Sequence, residues 1–258
     1  MQDERLPETT QDAVLGGRLV LRQPRRGHRV GHDAILLAAA TEAKAGERAI
    51  DLFAGVGAAG LALALRVPGL EVTLVEIDPA LTALARDNIA RNDLCDRVGA
   101  LALDVDAPAR AFVAAGLPSA SADRVLMNPP FNDPLTQRVS PQPERRLAHA
   151  ADREQLLARV AVAARLLAPH GVLTLIWRAD GLGHALDALA RTFGAVTVLP
   201  VHARGGAAAI RVLLRAVKSS RAPLRVLPGF VLADAAGRPT AEAEAVLRDH
   251  AALPLAAA

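Results

Sequence analysis

The chain has 258 residues, 52% of them hydrophobic and 22% charged, which excludes a disordered or fibrous protein. A single cysteine, Cys95, excludes a disulfide framework and a cysteine-rich zinc site. The net charge of +3 is too small to argue for a polyanionic partner by itself, so its distribution along the chain matters.

No apolar run reaches the roughly 18 residues of a membrane span, and the polar stretch from Met1 to Thr10 does not suit a signal peptide. A cytoplasmic protein is expected. Residues 18–22 (RLVLR) and 27–30 (GHRV) alternate polar and apolar around Pro24 and Gly27, which predicts a short hairpin. An apolar helix follows over Ala34 to Ala40.

From Arg48 the pattern becomes a regular alternation of strand and helix. Strands are predicted at Arg48 to Phe53, Glu71 to Val75, Val98 to Leu103, Ala122 to Met127 and Gly171 to Trp177. Helices are predicted to about Arg66, from Pro79 to about Asn92, from Pro108 to Ala115, from Arg153 to Ala168 and from Gly183 to Phe193. The polar, proline-bearing stretch Asn132 to Ala150 is the longest predicted loop. Segments Ala195 to Leu199 and Ala208 to Val217 are close enough to be antiparallel neighbours. A β segment at Leu224 to Leu232 and a helix at Thr240 to His250 end the chain.

Such alternation predicts a Rossmann-like, doubly wound α/β fold. Its mostly parallel seven-stranded sheet ends in an antiparallel strand, with an N-terminal hairpin and a C-terminal β extension. One domain is expected over 1–258: a hairpin and helix at 1–42, a core at 43–218 and an appendage at 219–258.

The charge is uneven. Between Ala188 and Ala233 there is no acid, but there are Arg191, Arg204, Arg211, Arg215, Lys218, Arg221 and Arg225. Further clusters are Arg18, Arg22, Arg25, Arg26, His28 and Arg29, and Arg138, Arg145, Arg146 and His149. Like charges at strand spacing repel, and a nucleic acid would remove that repulsion. Arg25, Arg26, Arg145, Arg146, Arg211 and Arg215 are the candidate RNA contacts.

The chemistry lies at the predicted strand ends. Gly55, Gly57 and Gly60 follow the first core strand and permit a tight turn with close approach of a ligand. Asp51, Glu76, Asp104 and Asn128 stand at or just after four strand ends, where open α/β sheets bind ligands. An acid after the second strand can accept from two ribose hydroxyls, and one after the third from an adenine amine. Three carboxylates repel a pyrophosphate and attract a sulfonium.

Asn128-Pro129-Pro130-Phe131 is the sharpest motif. Two prolines end the ladder and fix the chain direction. The Asn128 side chain and the Pro129 carbonyl are both acceptors, able to grip the two hydrogens of one planar amine, with Phe131 to stack on its ring. The seven histidines show no metal-ligand spacing, so no metal is expected.

These residues resemble the class I S-adenosylmethionine-dependent methyltransferases that methylate exocyclic amines. The nearest resemblance is to the bacterial valine-tRNA adenine-37 N6-methyltransferase family. It rests on Val30-Gly31-His32-Asp33-Ala34-Ile35-Leu36-Leu37, Asn128 to Phe131, Arg211-Val212-Leu213-Leu214, and the Leu224 to Leu232 segment with its following helix.

The resemblance implies S-adenosylmethionine as cofactor. Asp51, Gly55 and Gly57 would line its methionine end, Glu76 its ribose and Asp104 its adenine. Gly31 and Asp33 would close over it, and Asn128 would face both cofactor and base. Asn128, Pro129 and Phe131 would hold the target base, in a tRNA-binding monomer or weak homodimer. Phe131 in place of the tyrosine common in adenine enzymes keeps guanine-N2 methylation of rRNA open. Glutamine-N5 methylation of a protein stays open as well, as does a non-catalytic RNA-binding module.

Overall fold

The computed structural model describes residues 8–26, 29–130 and 142–257, with the side chains of 142–152 and of 257 excepted. The chain opens with β1 (Thr9–Val14), β2 (Leu19–Pro24) and α1 (His32–Ala40). It continues as β3 (Arg48–Leu52), α2 (Ala58–Arg66), β4 (Glu71–Glu76), α3 (Pro79–Arg91), β5 (Val98–Ala102), α4 (Ala109–Ala114) and β6 (Ala122–Met127). Then come α5 (Gln142–Leu166), β7 (Leu167–Arg178), α6 (Leu182–Leu189), β8 (Phe193–Arg204) and β9 (Ala209–Lys218). Two short strands, β10 (Arg225–Val226) and β11 (Phe230–Ala233), and α7 (Ala241–Leu247) follow.

The main sheet runs β10-β8-β9-β7-β6-β3-β4-β5, with β11 also on β8. The expected seven strands are β3 to β9. Within them only β9 runs antiparallel, lying between β7 and β8. The C-terminal extension adds β10 and β11, parallel to β8, on its outer edge.

Strand alternation sorts the core onto two faces. Val72, Leu74 and Leu126 pack with Leu36, Leu37, Leu61, Leu63 and Ile89 of α1, α2 and α3. Ile50, Leu52, Val75, Val125 and Met127 pack with Phe112, Leu156, Val160 and Leu189 of α4, α5 and α6. Helix starts are chemically marked. Asp78 accepts from the Ala80 N–H at 2.8 Å with Pro79 in the first turn of α3, and Thr240 caps α7. The end of α1 is capped by a guanidinium: Arg66 donates to the carbonyls of Ala38, Ala39 and Thr41.

Two expectations need correction. The hairpin pairs β1 with β2, Thr9 opposite Pro24 and Val14 opposite Leu19, rather than 18–22 with 27–30. Its turn is Leu15–Gly17, all three at positive φ, so the consecutive glycines mark the turn and Pro24 ends the strand. The stretch 132–150 is not wholly a loop, because α5 begins at Gln142. Pro143 falls in its first turn, where a missing N–H is tolerated.

Sequence order reverses at β3. The chain steps outward through β4 and β5, then returns to the other side of β3 as β6. Leu52 lies level with both Val75 and Met127, so β3, β4 and β6 end together. That switch point is where doubly wound sheets form a crevice.

Candidate active site

The rim of the crevice begins with the turn after β3. Phe53, Gly55 and Gly57 have φ of 63, 56 and 92°, which carries the chain sharply into α2. Tertiary contact explains why Gly57, and Gly60 in the first turn of α2, reject a side chain. A Cβ on Gly57 would stand 2.7 Å from Leu74 Cδ1, and one on Gly60 would stand 2.3 Å from Leu74 Cδ2. Gly55 differs: a Cβ there would meet nothing within 4 Å, so its backbone borders open space.

Asp51 lies under this turn rather than on the rim. It is 1% exposed, and its Oδ2 accepts from the Gly60 N–H at 2.8 Å. Burial raises its pKa to about 7; the Gly60 hydrogen bond opposes the rise and the nearby Glu76 charge adds to it.

Glu76, at the end of β4, joins two turns. Its Oε2 accepts from the Gly55 N–H at 2.8 Å and its Oε1 from the Asp78 N–H at 3.0 Å. A carboxylate offers about four acceptor positions, so roughly half remain for ligand hydroxyls. The loop after β5 is tied to the same place, since the Leu103 N–H donates to the Glu76 carbonyl at 2.9 Å. Asp104 follows, exposed, accepting from the Asp106 N–H at 2.9 Å.

Beyond β6, Asn128 is half-buried, Pro129 buried and Pro130 exposed. Phe131 lies outside the described residues, as do the side chains of Arg145 and Arg146.

The N-terminal segment is pinned near the rim by a network that sequence reasoning does not find. Gln23 Oε1 accepts from the Val30 N–H at 2.9 Å, and Gln23 Nε2 donates to Asp12 at 2.8 Å. That hydrogen bond holds the Asp12 pKa below the ordinary carboxylate value, with Arg29 adding to the effect. Gly31 precedes α1, and Asp33 in its first turn pairs with Arg211 at 2.9 Å.

Asn88 and Asn92, four residues apart on α3, act as a false strand beside β2. Asn88 accepts from the Arg22 N–H and donates to the Arg22 carbonyl, while Asn92 does the same for Val20. Asn88 also donates to the Val56 carbonyl in the glycine turn at 3.0 Å. The spacing Asn-x-x-x-Asn was the available signal.

The acid-free stretch is not free of acids in space. Arg211 faces Asp33, and Arg215 lies 3.3 Å from Glu42. The balancing charges come from α1 and the residues after it. Arg25 and Arg26 are exposed, with Glu8 3.6 Å from Arg25. Among the described residues no cluster of His, Cys, Asp or Glu is placed to hold a metal ion, and no helix is long and apolar enough to cross a membrane.

A family model described as methyltransferase small domain matches residues 28–204. A tRNA1(Val) (adenine(37)-N6)-methyltransferase of Porphyromonas gingivalis is 32% identical over 159 residues, 60% of this chain and 60% of that protein. The protein of the same name from Tolumonas auensis is 30% identical, over 67% of this chain and 68% of its own length. The crystal structure of a predicted O-methyltransferase from Agrobacterium tumefaciens matches with a TM-score of 0.72 at 29% identity, covering 86% of this chain and 98% of that one. The chain thus spans about 60% of the length of the first curated relatives.

Proposed function

This chain belongs to the methyltransferase small domain family, and from that membership we propose that it methylates an exocyclic amine of RNA, N6 of adenine 37 in a tRNA, from S-adenosylmethionine. The relatives from P. gingivalis and T. auensis carry that activity in their names. The observation that carries the reading is the level ending of β3, β4 and β6, which gathers Gly55, Glu76 and the Asn128-Pro129-Pro130 elbow around one crevice.

The chemistry of the donor set fits the cofactor. Open space beside Gly55 admits a ligand against the backbone, and Glu76 keeps acceptor capacity for ribose hydroxyls. Asp104 accepts from the adenine amine. Gly57 completes the turn at the methionine end, with Asp51 supporting it from below through Gly60. Gly31 and Asp33 close the cofactor side, Asp33 being held by Arg211. When bound, S-adenosylmethionine supplies a methyl group already activated on a sulfonium.

The protein's part is to orient the amine. Asn128 Oδ1 and the Pro129 carbonyl accept its two hydrogens, which draws nitrogen toward a pyramidal shape and frees its lone pair. Phe131 stacks on the base. So held, the amine would present its lone pair to the methyl group that the bound cofactor would supply, and its displaced proton would pass to solvent. Arg25, Arg26, Arg145, Arg146, Arg211 and Arg215 are the proposed contacts to the RNA backbone, Arg211 and Arg215 while also paired with Asp33 and Glu42. The reading takes 1–258 as one unit, a hairpin and helix (1–42), a core (43–218) and an appendage (219–258), acting in the cytoplasm as a monomer or weak homodimer.

Incubation of the chain with S-adenosylmethionine and, separately, tRNA, rRNA or a protein extract, followed by mass spectrometry of nucleosides and peptides, tests this. N6-methyladenosine at position 37 is expected. N2-methylguanosine, or methylglutamine in a protein, would move the substrate elsewhere; no methyl transfer to any of the three would overturn the reading.

A further inference from the structure

Arg159 occupies a core position of α5. It follows Leu156 by three residues and precedes Val160, both buried, and is itself 9% exposed. Its guanidinium lies over the Phe53 ring, 4.9 Å from the centroid. Its Nη1 donates to the Pro130 carbonyl at 3.4 Å, and its Nη2 lies 3.5 Å from Asp106 Oδ2. Its Nε is buried without a hydrogen-bond partner among the described residues.

One side chain therefore touches the segments that follow β3, β5 and β6, the three loops that border the crevice on this side. Stability alone does not account for it. A buried guanidinium whose donors are incompletely paired is expensive, and the stripe of α5 would pack more cheaply with an apolar residue. The elbow explains the need. Pro129 and Pro130 have no N–H to donate, so their carbonyls are the only backbone handles by which those two residues can be held. Arg159 supplies the donor for one of them. The same guanidinium covers Phe53, a bulky residue at φ 63°, a conformation uncommon outside glycine that persists only when its surroundings enforce it.

We infer that Arg159 is a positioning residue for methyl transfer: it clamps the Asn128-Pro129-Pro130 elbow against the Phe53 turn and thereby aims Asn128 at the amine. The inference rests on the methyl-transfer reading above. It assigns Arg159 no contact with substrate; its effect passes through Pro130 and Phe53.

The full-length chain is compared with R159M, R159K and D106N. Three quantities are measured: the melting temperature, S-adenosylmethionine affinity by calorimetry, and the single-turnover methylation rate at saturating tRNA. R159M is expected to bind the cofactor nearly as wild type and to lose on the order of 10- to 100-fold in rate, as small misplacements of a reacting group do. R159K should regain part of that loss, and D106N should fall between. The side-chain NH2 signals of Asn128 in the NMR spectrum should broaden or shift in R159M while those of Asn92 stay fixed. A wild-type rate in R159M overturns the clamp, as does an unchanged Asn128 signal. If R159M does not fold, R159K with wild-type rate and Asn128 signals overturns it equally. Wild-type protein that methylates no substrate sinks the functional reading instead, and the Asn128 signal still decides the clamp.

Discussion

Arg211, near the start of β9, donates its Nε–H to Asp33 Oδ2 at 2.9 Å, joining residues 178 positions apart. Four residues further along the strand, Arg215 reaches Glu42 at 3.3 Å. Together they fasten both ends of the α1 region to the sheet. Asp33 also sits in the first turn of α1, where a negative charge is favoured by the helix dipole. Two arginines that look like docking charges in one dimension are thus ties between elements in three.

Arg211→Ala should therefore act first on stability. The pair is partly buried, with side chains 18% and 28% exposed. Losing it is expected to cost about 1–2 kcal/mol and to lower the melting temperature by roughly 2–8 °C. Asp33→Ala should cost a similar amount, and the double variant little more than either alone. Fully additive losses in thermal melts of the three variants would show that the pair is not coupled.

Exposed cations near the rim should carry the salt dependence of the proposed RNA binding. Arg204 ends β8 on the same side as the crevice, and Arg26 is exposed beside the N-terminal hairpin. Arg225 instead pairs opposite Thr197, seven positions back along β8, or about 23 Å by strand rise. Arg26→Ala and Arg204→Ala should each reduce the slope of log K against log salt by about 1. Arg225→Ala should leave it unchanged. Equal effects from all three, measured by filter binding across a salt series, would remove the rim as the contact surface.

The order of β3 to β9 was legible because buried parallel strands read as apolar runs between helices. The strand-end positions of Glu76, Asp104 and Asn128 were legible for the same reason. What escaped depends on partners distant in sequence. Asp33 and Glu42 pair with two of the seven cations in a run that contains no acid. Asn88 looks like any polar residue on a helix until Arg22 and Val56 are brought to it. Arg159 breaks an apolar stripe, a local signal that could have been read. Asp51 ends up beneath the turn because alternation along β3 points it toward α2, away from the face of Ile50 and Leu52.

Asn128→Ala tests the centre of the proposed chemistry. Removing one aligned polar group from a transition state costs on the order of 100-fold or more in rate. Cofactor affinity should change far less, since Glu76 and Gly55, the proposed cofactor contacts, follow other strands of the rim. Turnover equal to wild type would take Asn128 out of the reaction.

Asn88→Ala should unfasten the hairpin from the glycine turn. The side chain is 0% exposed, and its loss strands the Arg22 N–H, the Arg22 carbonyl and the Val56 carbonyl. Buried unpaired groups of this kind cost about 1–3 kcal/mol each before relaxation, so a loss of roughly 2–4 kcal/mol is expected. The denaturant midpoint should fall, and proteolysis within β1 and β2 should accelerate more than proteolysis within β7. A uniform rise in cleavage would mean that Asn88 supports the whole fold and does not specifically couple these two segments.

Asp51 predicts a stability that declines as pH rises. Its folded pKa of about 7 lies above the ordinary carboxylate value of 3.8, with burial as the main cause. Between those two values the folded state holds a proton that the unfolded state has released, so raising the pH disfavours folding across that window and has no further effect above it. The full contribution is about 4 kcal/mol at most. Asp12 and Asp87, whose pKa values are lowered by their partners, act in the opposite direction at lower pH. Asp51→Asn separates the effects, because an amide oxygen can still accept from the Gly60 N–H but does not titrate. Relative to wild type, the variant should gain stability progressively from pH 4 to 7, measured as denaturant midpoints at each pH. A constant difference between the two proteins across that range would mean that Asp51 is ionised in the folded state throughout.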